Sequence, residues 1–282
     1  MTLLEPDLAQ PPTSPAKIAA WALHEEVLTW PKPGLVSPVD SGAHDDMDVT
    51  LFKTSIQSLT GYFSAIHSAG QSGAALSELR ALGIAAEEEM LRATRGINTH
   101  RGAIFTLGFL LAAAGRREVD DQLARQSLGA IVRETWGSSI ASVRPDSPVS
   151  NGLRVKHRYG VGGARGEAAG GFRAVYEVGL PALREAKMVG WNAAKVQCIF
   201  SLIAKLDDTN LLHRGGPAGL QFAQAQTREF LTGGGVLRAG WSHQAIETHR
   251  AFVSRRLSPG GAGDLLAATI LIDLLDPHAI PD

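Results

Sequence analysis

Apolar residues recur at alternating three- and four-residue spacing along most of this 282-residue chain, and that period constrains the fold more than any other feature. Val49, Phe52, Ile56, Leu59, Phe63 and Ile66 line up as one face of a helix, and Trp191, Ala194, Cys198, Leu202 and Leu206 as another. Period-two segments rich in valine, isoleucine and threonine are nearly absent, so there is little from which to build strands. Further helices are expected over about 16–29, 76–94, 99–115, 120–142, 172–187, 217–232, 242–256 and 262–275, each starting or stopping on cap and glycine signals. The long irregular connections are 30–46, 143–171 and 233–240. No linker divides the composition into halves. The expected fold is all-α, a single globular multi-helix domain of roughly ten helices over 16–282. A flexible leader precedes it at 1–15, with four prolines and no basic residue.

A 44% hydrophobic and 20% charged composition supplies an ordinary globular core. The formal net charge of −1 gives no electrostatic case for nucleic acid or an anionic membrane as partner. The longest apolar run, 103–114, is too short to span a bilayer, and the leader lacks the basic start of a secretory signal. A cytoplasmic protein is expected. The single cysteine excludes an intramolecular disulfide and a cysteine zinc site; Cys198, among Val196, Ile199, Phe200 and Leu202, reads as a core thiol.

The densest chemistry lies behind the loop Pro31-Lys32-Pro33-Gly34, where His44, Asp45, Asp46 and Asp48 crowd five positions. Like charges this close repel unless a cation joins them, and a divalent ion on a polyphosphate is the usual candidate. Helix capping is the competing explanation; it accounts for one or two of the aspartates more easily than for three. Asp207 and Asp208 follow a helix C-terminus, where carboxylates face the negative end of the dipole and call for a cation or for Arg214. The alternative there is that Asp208 or Asn210 caps the next turn while Asp207 points into water. Asn98-Thr99-His100-Arg101 opens a helix: Asn98 or Thr99 suffices as its cap, and His100 and Arg101 then sit beside free amides, a natural anion site. Upstream, Glu87 is spaced to face inward. Arg165-Gly166-Glu167 and Ser258-Pro259-Gly260-Gly261 are glycine-bearing turns whose amides suit a phosphate or merely let the chain turn.

Several motifs are excluded. No Gly-Lys-Ser/Thr occurs, the glycines at 160, 162, 163 and 166 miss the dinucleotide fingerprint, and His24-Glu25 lacks the second histidine of a zincin. An isoprenoid-synthase Asp-Asp-x-x-Asp pattern fails because Val49 and Leu211 hold the last positions. A helical magnesium-dependent nucleotide phosphohydrolase, suggested by His44-Asp45, lacks further spaced histidines. A non-catalytic nucleotide-binding subunit would spread its charges more evenly over solvated faces.

Taken in order, KPGLV, GAHDDMD, GINTHRGAIF, GARGEAAGGF, LDDTNLLHRGG and SPGGAGDLLA span about 31–270 and resemble the triphosphoribosyl-dephospho-coenzyme A synthase family. Two departures are visible. Arg101 stands where lysine is expected as often, and Gly263 where alanine precedes the aspartate; neither removes a charge. The resemblance implies transfer of the 5-triphosphoribosyl group of ATP to the 2′-hydroxyl of 3′-dephospho-coenzyme A with loss of adenine. The product is the prosthetic-group precursor for malonate decarboxylase or citrate lyase, with a leaning to the former, and passes to a carrier-protein transferase. A homodimer is compatible with the sequence. The triphosphate survives the reaction, which explains a nucleotide enzyme without a P-loop.

The chemistry so implied sorts the residues. Magnesium goes to Asp45, Asp46, Asp207 and Asp208, with Asp48 a weaker candidate. Lys32, Arg101, Arg165 and Arg214 hold phosphates, helped by the amides of Gly260 and Gly261, and Asn98 and Thr99 join them in the ATP-binding set. His44, His100 and Glu167 are the candidates for protonating adenine and for taking the hydroxyl proton.

Overall fold

Two stretches, 103–114 and 262–272, are apolar around nearly their whole circumference, which a helix tolerates only when other helices surround it. A computed structural model of the chain, describing residues 11–142 and 158–276, places both at the centre. The chain runs through α1 (Pro15–Leu28), α2 (Val49–Ser58), α3 (Thr60–Gln71), α4 (Leu76–Ala93), α5 (Arg101–Val119), α6 (Leu128–Val132) and α7 (Ser138–Ser142). It continues in α8 (Gly163–Ala169), α9 (Leu180–Ala186), α10 (Trp191–Lys205), α11 (Thr209–Thr232), α12 (Trp241–Ser254) and α13 (Gly260–Leu275). No strand occurs among the described residues, and the all-α single domain expected from the periodicity is what forms.

Helix α5 packs against α3, α4 and α13, while α13 also meets α1 and α10. The α3–α5 crossing is close because a Cβ on Gly70 would lie 2.0 Å from the Ala112 carbonyl oxygen. Glycine alone permits that approach. One aromatic cluster, Phe200 on Phe230 at 4.1 Å between ring centres, closes the far side between α10 and α11.

The element boundaries depart from the periodic reading in four places. The face from Val49 to Ile66 is two helices, meeting at Leu59 (φ −88°, ψ −5°), whose amide bonds back to Ile56 and ends α2. The 120–142 helix is interrupted at Ser127, whose hydroxyl caps α6 through the Ala130 amide, and a π-turn over 133–137 joins α6 to α7. Within the segment expected to be irregular, 163–169 is helical; 143–157 lies outside the described residues, as do positions 1–10 of the leader. Helix α11 starts at Thr209 and is broken at Gly216 (φ 61°), just before Pro217, whose ring supplies no amide hydrogen. No helix among the described residues is long and apolar enough to cross a membrane.

Candidate active site

The loop 30–46 takes its shape from left-handed backbone at two glycines, Gly34 and Gly42. Gly34 has φ +66°, and a Cβ there would stand 2.0 Å from the Leu257 carbonyl oxygen. His249 of α12 braces the loop, contacting the Lys32 carbonyl at 2.7 Å and the Asp40 carboxylate at 3.1 Å. The loop thereby carries His44 to the ends of α11 and α13. There its Nε2 lies 2.8 Å from Ser258 Oγ and its Nδ1 3.1 Å from the Arg214 guanidinium. Burial, and then Arg214, hold the His44 imidazole below its ordinary pKa, so it is neutral near pH 7. A donor at Nδ1 leaves the ring proton on Nε2. Arg214 also bonds the carbonyls of Ala43 and Arg256, tying the loop down.

The aspartates that follow divide by position. Asp48 caps α2, accepting from the Leu51 amide at 2.8 Å. Asp45 is exposed and pairs with Arg256 at 3.1 Å; Asp46 is exposed 3.8 Å from His44. Asp208 is buried and caps α11 through the amides of Asn210 and Leu211, while its other oxygen takes the Ala262 amide at 2.9 Å. The Gly261 amide adds a fourth bond. Burial pushes this carboxyl up and the four amides pull it back. The N-terminus of α13 therefore already holds an anion, Asp208 itself, and Gly261 is small because the carboxylate lies 3.0 Å from where its Cβ would be. Asp207, by contrast, is exposed.

A cavity of about 1630 Å³ runs between these elements and α4, α5 and α8. Its lining includes His44, His100 and Glu167, and also Asn98, Thr99, Arg101, Arg165 and Arg214. Asp207, Asp208, Gly260 and Gly261 line it too. Residues as far apart as His44 and Gly261 thus share one chamber. Lys32, Asp45, Asp46 and Asp48 are not part of the lining. Lys32 is 1% exposed and lies behind Glu26, its Nζ 2.5 Å from Glu26 Oε1. Among the described residues no three His, Cys, Asp or Glu side chains gather as a ready-made metal site.

At the start of α5, Asn98 Oδ1 accepts the Arg101 amide at 3.1 Å, and Arg101 forms an ion pair with Glu87. Thr99 turns inward to Ser55 at 2.7 Å. His100 is 3% exposed, with Nδ1 2.7 Å from Ser55 Oγ and its ring edge-on to Phe52. Burial, with Lys32 nearby, holds this imidazole down to about 3. Glu167 accepts the Ala174 amide, and burial pushes its carboxyl up.

Glu26 and Asp264 are lining carboxyls to which the sequence alone assigned no role. Glu26 extends from the buried stripe of α1, in step with Ala19, Ala22 and Leu23, so a carboxylate on an apolar face was the available signal. Asp264 interrupts the apolar run of α13. Its carboxyl seats against Gly102, where a Cβ would fall 1.9 Å from Oδ2, and it takes the Ala103 amide. Burial, then Glu26 and Asp208, push the Asp264 carboxyl well above the usual carboxylate range.

These shifts have a pH consequence. His100 is neutral when folded and ordinary, near 6.5, when unfolded. Its contribution to stability is complete above pH 6.5 and is lost as pH falls toward 3, at up to ~1.4 kcal/mol per pH unit. Asp264 works oppositely, its contribution being lost as pH rises through its raised pKa. Urea midpoints measured from pH 7 to 4 are expected to fall more steeply in the wild type than in His100→Gln. Equal slopes would refute a buried neutral imidazole.

The match to known proteins covers nearly the whole chain. A family model described as ATP:dephospho-CoA triphosphoribosyl transferase matches residues 12–281. A protein of Acinetobacter calcoaceticus named "Probable 2-(5''-triphosphoribosyl)-3'-dephosphocoenzyme-A synthase" is 40% identical over 258 residues, covering 90% of this chain and 88% of its own. One of Stutzerimonas stutzeri with the same name is 40% identical over 277 residues, covering 94% and 92%. One of Pectobacterium atrosepticum, named "2-(5''-triphosphoribosyl)-3'-dephosphocoenzyme-A synthase", is 39% identical over 267 residues, covering 90% and 86%. No solved structure matches significantly. A family match this complete, over a chain whose dispersed motifs fold onto one cavity, settles the reaction class: the chain belongs to the ATP:dephospho-CoA triphosphoribosyl transferase family.

Proposed function

We propose that ATP lies in the cavity with its triphosphate toward Arg101, Arg165 and Arg214 and its base toward the acidic floor formed by Glu26, Asp208 and Asp264. The reaction of the family breaks the N-glycosidic bond of ATP, joins C1 of its ribose to the 2′-hydroxyl of 3′-dephospho-coenzyme A and releases adenine. The observation that carries the orientation is the polarity of the chamber. Of the lining groups, Arg101 and Arg214 are exposed and Arg165 half-buried, while Glu26 and Asp208 are buried and Asp264 is held against Gly102. A polyanion is repelled by that floor and an uncharged purine is not.

Magnesium, when bound, neutralises and fixes the triphosphate. Asp207, exposed on the cavity wall, would hold it there, and Asp45 and Asp46, which lie outside the lining, would join it only by a shift of their loop. These three spend no oxygen on a helix amide, whereas Asp48 gives one to the Leu51 amide and Asp208 gives both to helix amides. Such a partial set fits an ion that keeps its waters and shares substrate oxygens. Glu167 and Asp264, both raised by burial, are the carboxyls suited to protonate adenine, and neutral His44 is the group suited to take the hydroxyl proton at Nδ1 once Arg214 leaves that nitrogen for the triphosphate. Sequence resemblance supports a cytoplasmic route in which a transferase loads the product onto the carrier subunit of malonate decarboxylase.

A mass-resolved assay with ATP, magnesium and 3′-dephospho-coenzyme A tests this. Free adenine and a product heavier by a triphosphoribosyl group are expected in equal amounts. Phosphate release without adenine would point to hydrolysis, and tight ATP binding without turnover to a non-catalytic subunit.

A further inference from the structure

His100 Nε2 is a buried nitrogen with no hydrogen-bond partner in the protein, on a residue that lines the large cavity. Leaving such an atom unpaired is costly, so native proteins keep one mainly where something else is to bind it. Thr106 Oγ1 lines the same cavity unpaired, but a rotating hydroxyl specifies no direction, whereas a ring nitrogen does.

The other ring nitrogen decides what kind of atom Nε2 is. Thr99 Oγ1 donates to Ser55 Oγ at 2.7 Å. Ser55 therefore has its own proton left for His100 Nδ1, also at 2.7 Å. With Nδ1 accepting, the ring proton resides on Nε2. Three further features keep the ring in place and uncharged. Phe52 meets it edge-on at 4.9 Å, Ser55 is fully buried, and the Lys32 ammonium opposes a second positive charge.

We infer that Ser55 is a positioning residue that, with Thr99, fixes His100 as a neutral Nε2–H donor aimed at a ring nitrogen of the departing adenine. This rests on the base-inward orientation proposed above. Charged groups around this end of the cavity are Glu26, Lys32, Asp208 and Asp264, and Glu26 and Lys32 satisfy each other. An acceptor that enters beside carboxyls is uncharged, as a purine nitrogen is. The bond is donated and not transferred: the imidazole keeps its proton. As the C1–N9 bond breaks, its electron pair passes into the purine, and the Nε2–H bond strengthens with the growing charge. A contact that tightens only in the transition state accelerates the reaction.

Ser55→Ala is expected to lower kcat for adenine release about 10- to 100-fold with little change in the KM for ATP, less than removal of a direct donor costs. Ser55→Thr, which keeps the hydroxyl, is expected to retain most of the rate. Nitrogen-15 spectra of histidine-labelled enzyme should show His100 protonated at Nε2 in the wild type and as a mixture in Ser55→Ala. With 7-deaza- or 3-deaza-ATP, one analogue should slow the wild type strongly yet slow Ser55→Ala and His100→Phe no further. An Nδ1–H tautomer in the wild type, a wild-type kcat in Ser55→Ala, or equal deaza penalties in all three proteins would overturn the assignment. If Ser55→Ala fails to fold, His100→Gln decides: its side-chain amide supplies a donor, and it should outperform His100→Phe and keep the deaza penalty. Absence of adenine release by the wild type with ATP would instead defeat the transfer reading, before any variant is compared.

Discussion

Glu26→Ala is expected to cost ~3–5 kcal/mol of folding stability, the usual result of stranding a buried charge. The charge is Lys32, 1% exposed, whose ammonium bonds both the carboxylate and the carbonyl oxygen of Glu26, at 2.5 and 2.7 Å. Burial already pulls Lys32 below its ordinary pKa, and a second buried ammonium, Lys195, adds to that. Lys195 offers no relief, being paired with Glu25 at 2.7 Å. The double variant Glu26→Ala/Lys32→Met should recover most of the urea midpoint, because neither group then needs a partner. Its adenine release should stay impaired, since Glu26 also lines the cavity. A single variant as stable as the wild type would mean that Lys32 does not depend on Glu26.

Gly102→Ala is expected to have the largest effect on turnover. Its methyl would stand 1.9 Å from Asp264 Oδ2, so the carboxyl must leave its seat or α5 must move against α13. Overpacking of this kind costs about 1–3 kcal/mol. If Asp264 delivers the adenine proton from this seat, kcat falls ~10²- to 10³-fold, within the range of lost acid catalysis. Adding Asp264→Ala should relieve the clash and restore the midpoint to that of Asp264→Ala alone, while activity stays low. Wild-type kcat in Gly102→Ala would show that Asp264 does not work from this position.

Helices α1, α4, α10, α12 and α13 lie within a few residues of where periodicity and caps place them, because both signals act within one or two turns. The breaks at Leu59 and Ser127 were not legible. The apolar stripe runs on through each of them, and only packing against α5 requires the turn. The cap at Asp48 was legible as one of two readings, since a cap bonds an amide three residues away. The second duty of Asp208 was not: the Ala262 amide it accepts lies 54 residues further on.

The same boundary runs through the site. The residue types and their order by themselves determined an all-helical domain, a nucleotide enzyme without a P-loop, and a short set of carboxylates, arginines and histidines. Only the tertiary structure decided what each of these does. It turned Lys32 inward onto Glu26, spent Asp208 on four amides, left Asp207 open and brought Asp264 against Gly102. The reason is physical. Helix formation depends on neighbours in sequence, whereas the charge state and reach of a polar group depend on which distant elements bury it and bond to it. Ser55 is the extreme case: no motif marks it, and its meaning lies wholly in the 2.7 Å that separates it from His100.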